Sequence, residues 1–260
     1  MPNLLETWSY RQLVVFFVWR DLIVRYRQTV FGTLWLVLRP LTMTFLLRLV
    51  FQNQIGQSNG TVPYIFYAVS GYLCWQFMAT SATEAGNSLI NNITSINKVY
   101  YPRLVLPLSA IVTNLVEFTV STILLIIWLL LAKTPAVYHP GWMVISLIML
   151  VLVTTGVGCL FASLFVRFRD LKFVLPFFLQ AGILFAPIGF SPTHFTNISA
   201  WLLFINPVTA PMELFRFALF GQAYYPVMST VIIGLFESLL LLAIGLTIFH
   251  TVERNLADTL

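Results

Sequence analysis

Six stretches of this 260-residue chain are apolar for about the 20 residues that a helix needs to cross roughly 30 Å of hydrocarbon. They cover residues 31–52, 63–83, 104–132, 141–166, 173–190 and 227–249. In lipid, backbone polar groups must be satisfied within the segment, so runs of this length become helices. Hydrophobic residues make up 59% of the chain and charged residues 9%, too little polarity to give six such helices a wet face. The expected class is therefore an all-α integral membrane protein, a single transmembrane domain over 1–260. An even number of crossings places both termini on the same side.

Lysine and arginine in the short connections set the orientation. Arg11, Arg20, Arg25, Arg27, Lys98, Arg103, Arg167, Arg169, Lys172 and Arg254 fall on one side, against Lys133 and Arg216 on the other. The first side is expected to be cytoplasmic. The net charge of +5 then reports topology and attraction to anionic lipid, with no nucleic-acid partner implied. No cleavable signal peptide is expected, because the apolar run 13–19 is short and is followed by arginines. Cys74 and Cys159 fall in expected spans without metal-ligand spacing and read as packing residues, and no metal site is expected. The chain has no phosphate-cradling glycine loop ending in Lys-Ser or Lys-Thr, no HExxH and no serine elbow, so any nucleotide hydrolysis is expected elsewhere.

The polarity that remains is concentrated just before the first span, in "WRDLIVRYRQTVFGTLW" (19–35). At 100° per residue Trp19, Leu22, Ile23, Tyr26 and Val30 share one stripe, and Arg20, Asp21, Arg25, Arg27 and Gln28 share the other side. Such a pattern over 8–30 suits an amphipathic helix lying flat at the membrane interface. Residues 84–103 read as a cytoplasmic loop that ends in Lys98, Tyr100, Tyr101 and Arg103. In the fifth span Pro176 and Pro187 flank Gly182 and precede Gly189, which predicts a broken helix facing a cavity or path. Residues 191–226 are too long for a turn and contain two short apolar pieces, read as a re-entrant hairpin or short helices in the outer leaflet. There Glu213 and Arg216, three residues apart, are placed to pair on one helical face. Arg39, Arg48, Glu117 and Glu237 lie inside spans, where ionisable groups are costly and default to functional candidates.

Five blocks in this order resemble the membrane permease subunit of type-2 ATP-binding-cassette exporters, in the branch that exports bacterial polysaccharides such as O-antigen. They are "RDLIVRYRQTVFGTLWLVLRPL" (20–41), "INKVYYPRLVLPLSA" (96–110), "VRFRDLKFVLPFFLQ" (166–180), "INPVTAPMELFRFALFG" (205–221) and "VERNLADTL" (252–260). The run "FAPIGF" (185–190) departs from that branch's usual residues. The resemblance implies a homodimer in the bacterial inner membrane, paired with two copies of a separate cytoplasmic ATPase that binds ATP and Mg. This chain itself would bind no cofactor. It also implies that Arg20, Asp21, Arg25 and Arg27, with Lys98, Tyr100, Tyr101 and Arg103, couple the ATPase to the membrane path.

A sugar polymer cannot leave its hydroxyl hydration in lipid and needs a protein-lined path. Aromatic rings stack on the apolar faces of sugars, so Tyr67, Tyr72, Trp75 and Phe77 in "PYIFYAVSGYLCWQF" (63–77), together with Arg39, are the lining candidates. The substrate implied is a lipid-linked polysaccharide; a drug, lipid or other amphiphile moved by the same architecture is the alternative. An intramembrane enzyme is disfavoured because Glu117, Glu237, His139, His194 and His250 do not cluster in sequence. A passive scaffold is the remaining reading.

Overall fold

A computed structural model describes residues 4–27, 34–50, 63–93, 101–133, 138–168, 170–183, 185–188, 203–223 and 225–257. The described residues form helices and turns, with no strand among them. In chain order the helices are α1 (Leu4–Ser9), α2 (Arg11–Arg27), α3 (Trp35–Val50), α4 (Tyr64–Asn91), α5 (Val105–Leu131), α6 (Pro140–Arg167), α7 (Leu171–Gly182), α8 (Thr209–Phe220) and α9 (Val227–Ala257). A 3-10 turn, Leu203–Ile205, precedes α8.

Long apolar runs explain the central helices. α5, α6 and α9 are each long and apolar enough to cross a membrane. Some of their hydroxyls are satisfied within the helix: Thr113 donates to the carbonyl of Ser109 at 2.9 Å and Thr154 to that of Leu150 at 2.7 Å. α4 packs between α5 and α6, and α9 lies along α6. At the α6–α9 crossing the glycines are required by contact: a Cβ on Gly245 would overlap the carbonyl oxygen of Gly156, so the two backbones touch directly.

Several boundaries differ from the sequence expectation. Helix α4 continues to Asn91, so residues 84–91 of the expected 84–103 loop are helical. Local bonds carry it on: Asn87 donates to the carbonyl of Thr83 at 3.0 Å and Ser88 to that of Ala85 at 2.7 Å. The fifth span is shortened from 173–190 to α7, whose 12 residues rise about 18 Å. Pro176 sits inside α7, Gly182 ends it, and Pro187 is buried in the turns beyond; Gly189 lies outside the described residues. α3 is described over Trp35–Val50, and residues 51–62 lie outside the described residues.

The expected outer hairpin is only partly seen, because residues 191–202 lie outside the described residues. Its second limb, α8, is no surface piece: every residue but Phe217 is buried, packed on α6, α9 and α4. The His139 amide donates to the carbonyl of Ala218 at 2.8 Å, which fixes α8 to the start of α6.

Helix α2 does not lie across the bundle. Phe17 is buried beside Tyr101 (ring centroids 5.9 Å), Arg20 reaches Asn92, and Arg25 reaches Glu84 and Glu117. Successive residues of α2 thus meet positions farther back along α4 and farther on along α5, so the helix climbs beside them. Its expected apolar stripe faces away: Trp19 is 64% exposed and Ile23 is exposed as well. The polar side, Arg20, Asp21 and Arg25, turns toward the bundle. In lipid that is the stable arrangement, since apolar residues lose nothing by facing hydrocarbon and charges need protein partners.

Candidate functional site

Two arginines bind other segments to α4, one toward each end. Near the end formed by α2, Tyr101 and the close of α9, the Arg25 guanidinium donates through Nη2 to Glu84 at 2.7 Å. Through Nη1 it donates to Asn114 at 3.0 Å and to Glu117. Asn114 Nδ2 closes the ring by donating to the same Glu84 oxygen at 2.7 Å. Burial opposes the charge on Arg25, and the two carboxylates outweigh it, so its pKa lies above the ordinary value.

Around this ring, Arg20 pairs with Asp21 at 2.8 Å, donates to Asn92 at 3.3 Å and lies over the Phe17 ring at 4.7 Å. Tyr101 is buried, which pushes its phenol pKa up against the pull of Arg20. Its hydroxyl has no hydrogen-bond partner among the described residues. Arg103 donates to the carbonyl of Glu253 at 3.1 Å and so joins the start of α5 to the close of α9. The structure therefore gathers Arg20, Asp21, Tyr101 and Arg103 at one end, with Arg25 farther in, beside the middle of α5. Lys98 and Tyr100 lie outside the described residues; Arg27 is in α2 and Arg39 in α3, with side chains outside them too.

The opposite end is built on Arg216. Its Nη1 donates to Glu213 at 2.7 Å, one turn back on α8, and both side chains are nearly inaccessible. Nη2 donates to the carbonyls of Tyr67 (3.1 Å) and Ile188 (3.4 Å), and the guanidinium lies 3.5 Å from the centre of the Tyr67 ring. One side chain thus ties α8, the start of α4 and the turns after α7, where the broken helix leaves carbonyls to satisfy. Gly71 makes this approach possible, because a methyl there would overlap Arg216 Nη2. The expected Glu213–Arg216 pair is present, but it is internal.

Three of the lining candidates lie in the core of this chain. Tyr72, Trp75 and Phe77 are buried inside this one chain, at 8%, 5% and 3% exposure, with Phe77 against Phe118 and Trp75 against Gly182. Tyr67 is half-buried under Arg216. Both cysteines are buried and unbridged, and among the described residues no group of three metal-ligating side chains exists.

Sequence reasoning noted Glu117 without a partner and passed over Glu84 and Asn114. The available signal was arithmetic: two carboxylates inside helices with no intrahelical cation, and an unmatched arginine on the preceding helix.

Among the described residues, helices long enough to cross a membrane are joined by two arginine-centred networks. The ABC-2 type transporter family model matches residues 12–220, and the chain belongs to that family. It is a multi-pass membrane permease rather than an enzyme, and membership implies an ABC ATPase as its partner. Among curated relatives, an O-antigen export system permease protein RfbA of Klebsiella pneumoniae is 28% identical over 95% of both chains. An RfbA of the same description from Myxococcus xanthus is 26% identical over 98% of both. The capsule polysaccharide export inner-membrane protein BexB of Haemophilus influenzae is 26% identical over 78% of this chain and 77% of its own.

Proposed function

We propose that this chain is the channel-forming permease half of an ATP-driven exporter that moves a lipid-linked, O-antigen-like polysaccharide across the bacterial inner membrane. The observation that carries this reading is near end-to-end similarity to permeases of two bacteria named for O-antigen export. Two copies pair, each crossing the membrane six times with both termini in the cytoplasm, and two ATPase subunits bind the ATP and Mg that power the cycle. The path runs between subunits, where the short helix α7 leaves an incomplete crossing for the second copy and water to complete. The outward stripe of α2, with Trp19 and Ile23, rests on lipid, and the end that gathers Arg20, Asp21, Tyr101 and Arg103 faces the ATPase. Lys98, Tyr100 and Arg27 belong to that contact, and Arg39 and Tyr67 to the path.

The test compares surface polymer with lipid-linked glycan inside cells that have or lack this gene, with restoration by the intact copy. The expected result is loss of surface polymer with accumulation on the cytoplasmic side. Unchanged glycan in both compartments would overturn the proposal.

A further inference from the structure

Arg25 stands between two carboxylates that belong to different helices, Glu84 on α4 and Glu117 on α5. Asn114 joins the two sides, accepting from Arg25 and donating to Glu84. The carboxylates are held near one another because the guanidinium lies between them; like charges at such range otherwise repel. Any displacement of α2 withdraws that guanidinium and leaves Glu84 facing Glu117 across the α4–α5 contact. The ring is partly open to water, with 27% of the Arg25 side chain, 39% of Glu84 and 19% of Glu117 exposed. Water can therefore replace a lost contact at modest cost, as an arrangement that opens and re-forms requires.

We infer that Arg25 is a positioning residue of the transport cycle: through Glu84 and Glu117 it makes the spacing of α4 and α5 depend on where α2 sits. Movement imposed on α2 by the ATPase then reaches the membrane-crossing helices through this ring. The inference rests on the proposed contact between α2 and an ATPase, but not on the identity of the cargo. It also gives Arg25 a task other than docking, since its guanidinium is committed within its own chain.

The experiment uses the complete complex of this chain and its ATPase in lipid nanodiscs. Spin labels at the exposed positions Asn91 on α4 and Val112 on α5 report their separation, without nucleotide and with a trapped ATP analogue. The intact protein is expected to show a nucleotide-dependent shift in that distance, and Arg25→Gln to abolish it. Arg25→Gln should also lower glycan moved per ATP about tenfold. Adding Glu117→Gln to Arg25→Gln removes the repulsion and should restore the resting distance but not the nucleotide response. Should Arg25→Gln fail to assemble, the Glu84→Gln/Glu117→Gln variant keeps the arginine for any ATPase contact and is expected to lose the shift as well. No shift in the intact complex, or a shift of full size in either variant, overturns the inference. An intact complex that shifts with nucleotide yet moves no glycan counts against the polysaccharide reading alone.

Discussion

Arg25 and Arg216 both clamp a neighbour to α4, yet they sit in opposite electrostatic settings. Arg216 is sealed: 2% of its side chain and 5% of that of Glu213 are accessible, and its other contacts are an aromatic face and two carbonyls. Arg25 has two partly wet carboxylates and the buried amide of Asn114. A sealed ion pair is very costly to break because the surviving partner is left charged in a dry interior. A wet one opens for about a kilocalorie per mole. The Arg216 clamp is thus a fixed joint and the Arg25 clamp an exchangeable one.

The comparison breaks most easily at the fixed joint. Arg216→Leu strands Glu213 and two carbonyls and should cost about 3–5 kcal/mol, read as loss of monodisperse protein and a large fall in melting temperature in detergent. Stability close to wild type would mean that the joint is not sealed. Gly71→Ala pushes a methyl into the guanidinium's position and should cost about 1–3 kcal/mol by the same assay, without removing any charge. Arg25→Gln should cost only about 1 kcal/mol, and 1 M salt should erase most of that difference while leaving the Arg216→Leu deficit in place, because salt screens exposed pairs and not buried ones. Tyr67→Phe loses a hydroxyl 3.4 Å from Glu213 and keeps the ring under Arg216, so its effect should be smallest, about 0.5 kcal/mol.

Helices with continuous apolar runs were legible in the sequence: α5 and α6 end within a residue of the expected 104–132 and 141–166. α4 was misjudged at Glu84, where a carboxylate after an apolar run resembles a loop; the charge is tolerated because Arg25, 59 residues away, neutralises it. α7 was expected to break, and the break falls at Gly182, where Trp75 closes against the glycine. The Glu213–Arg216 pair was legible because three-residue spacing is local. Its burial, like the partners of Arg25, depends on segments distant in sequence that only the packed bundle brings together. The aromatics of 63–77 show the limit of composition, since rings suited to a sugar path are equally suited to a core, and packing chose the core for Tyr72, Trp75 and Phe77.

The most direct test is transport by the purified chain and its ATPase in proteoliposomes, scored as lipid-linked glycan translocated per ATP hydrolysed. The account predicts ATP-dependent translocation by the intact complex, and hydrolysis with about tenfold less translocation by Arg25→Gln. ATP hydrolysis by an intact, correctly assembled complex with no glycan translocated would contradict it.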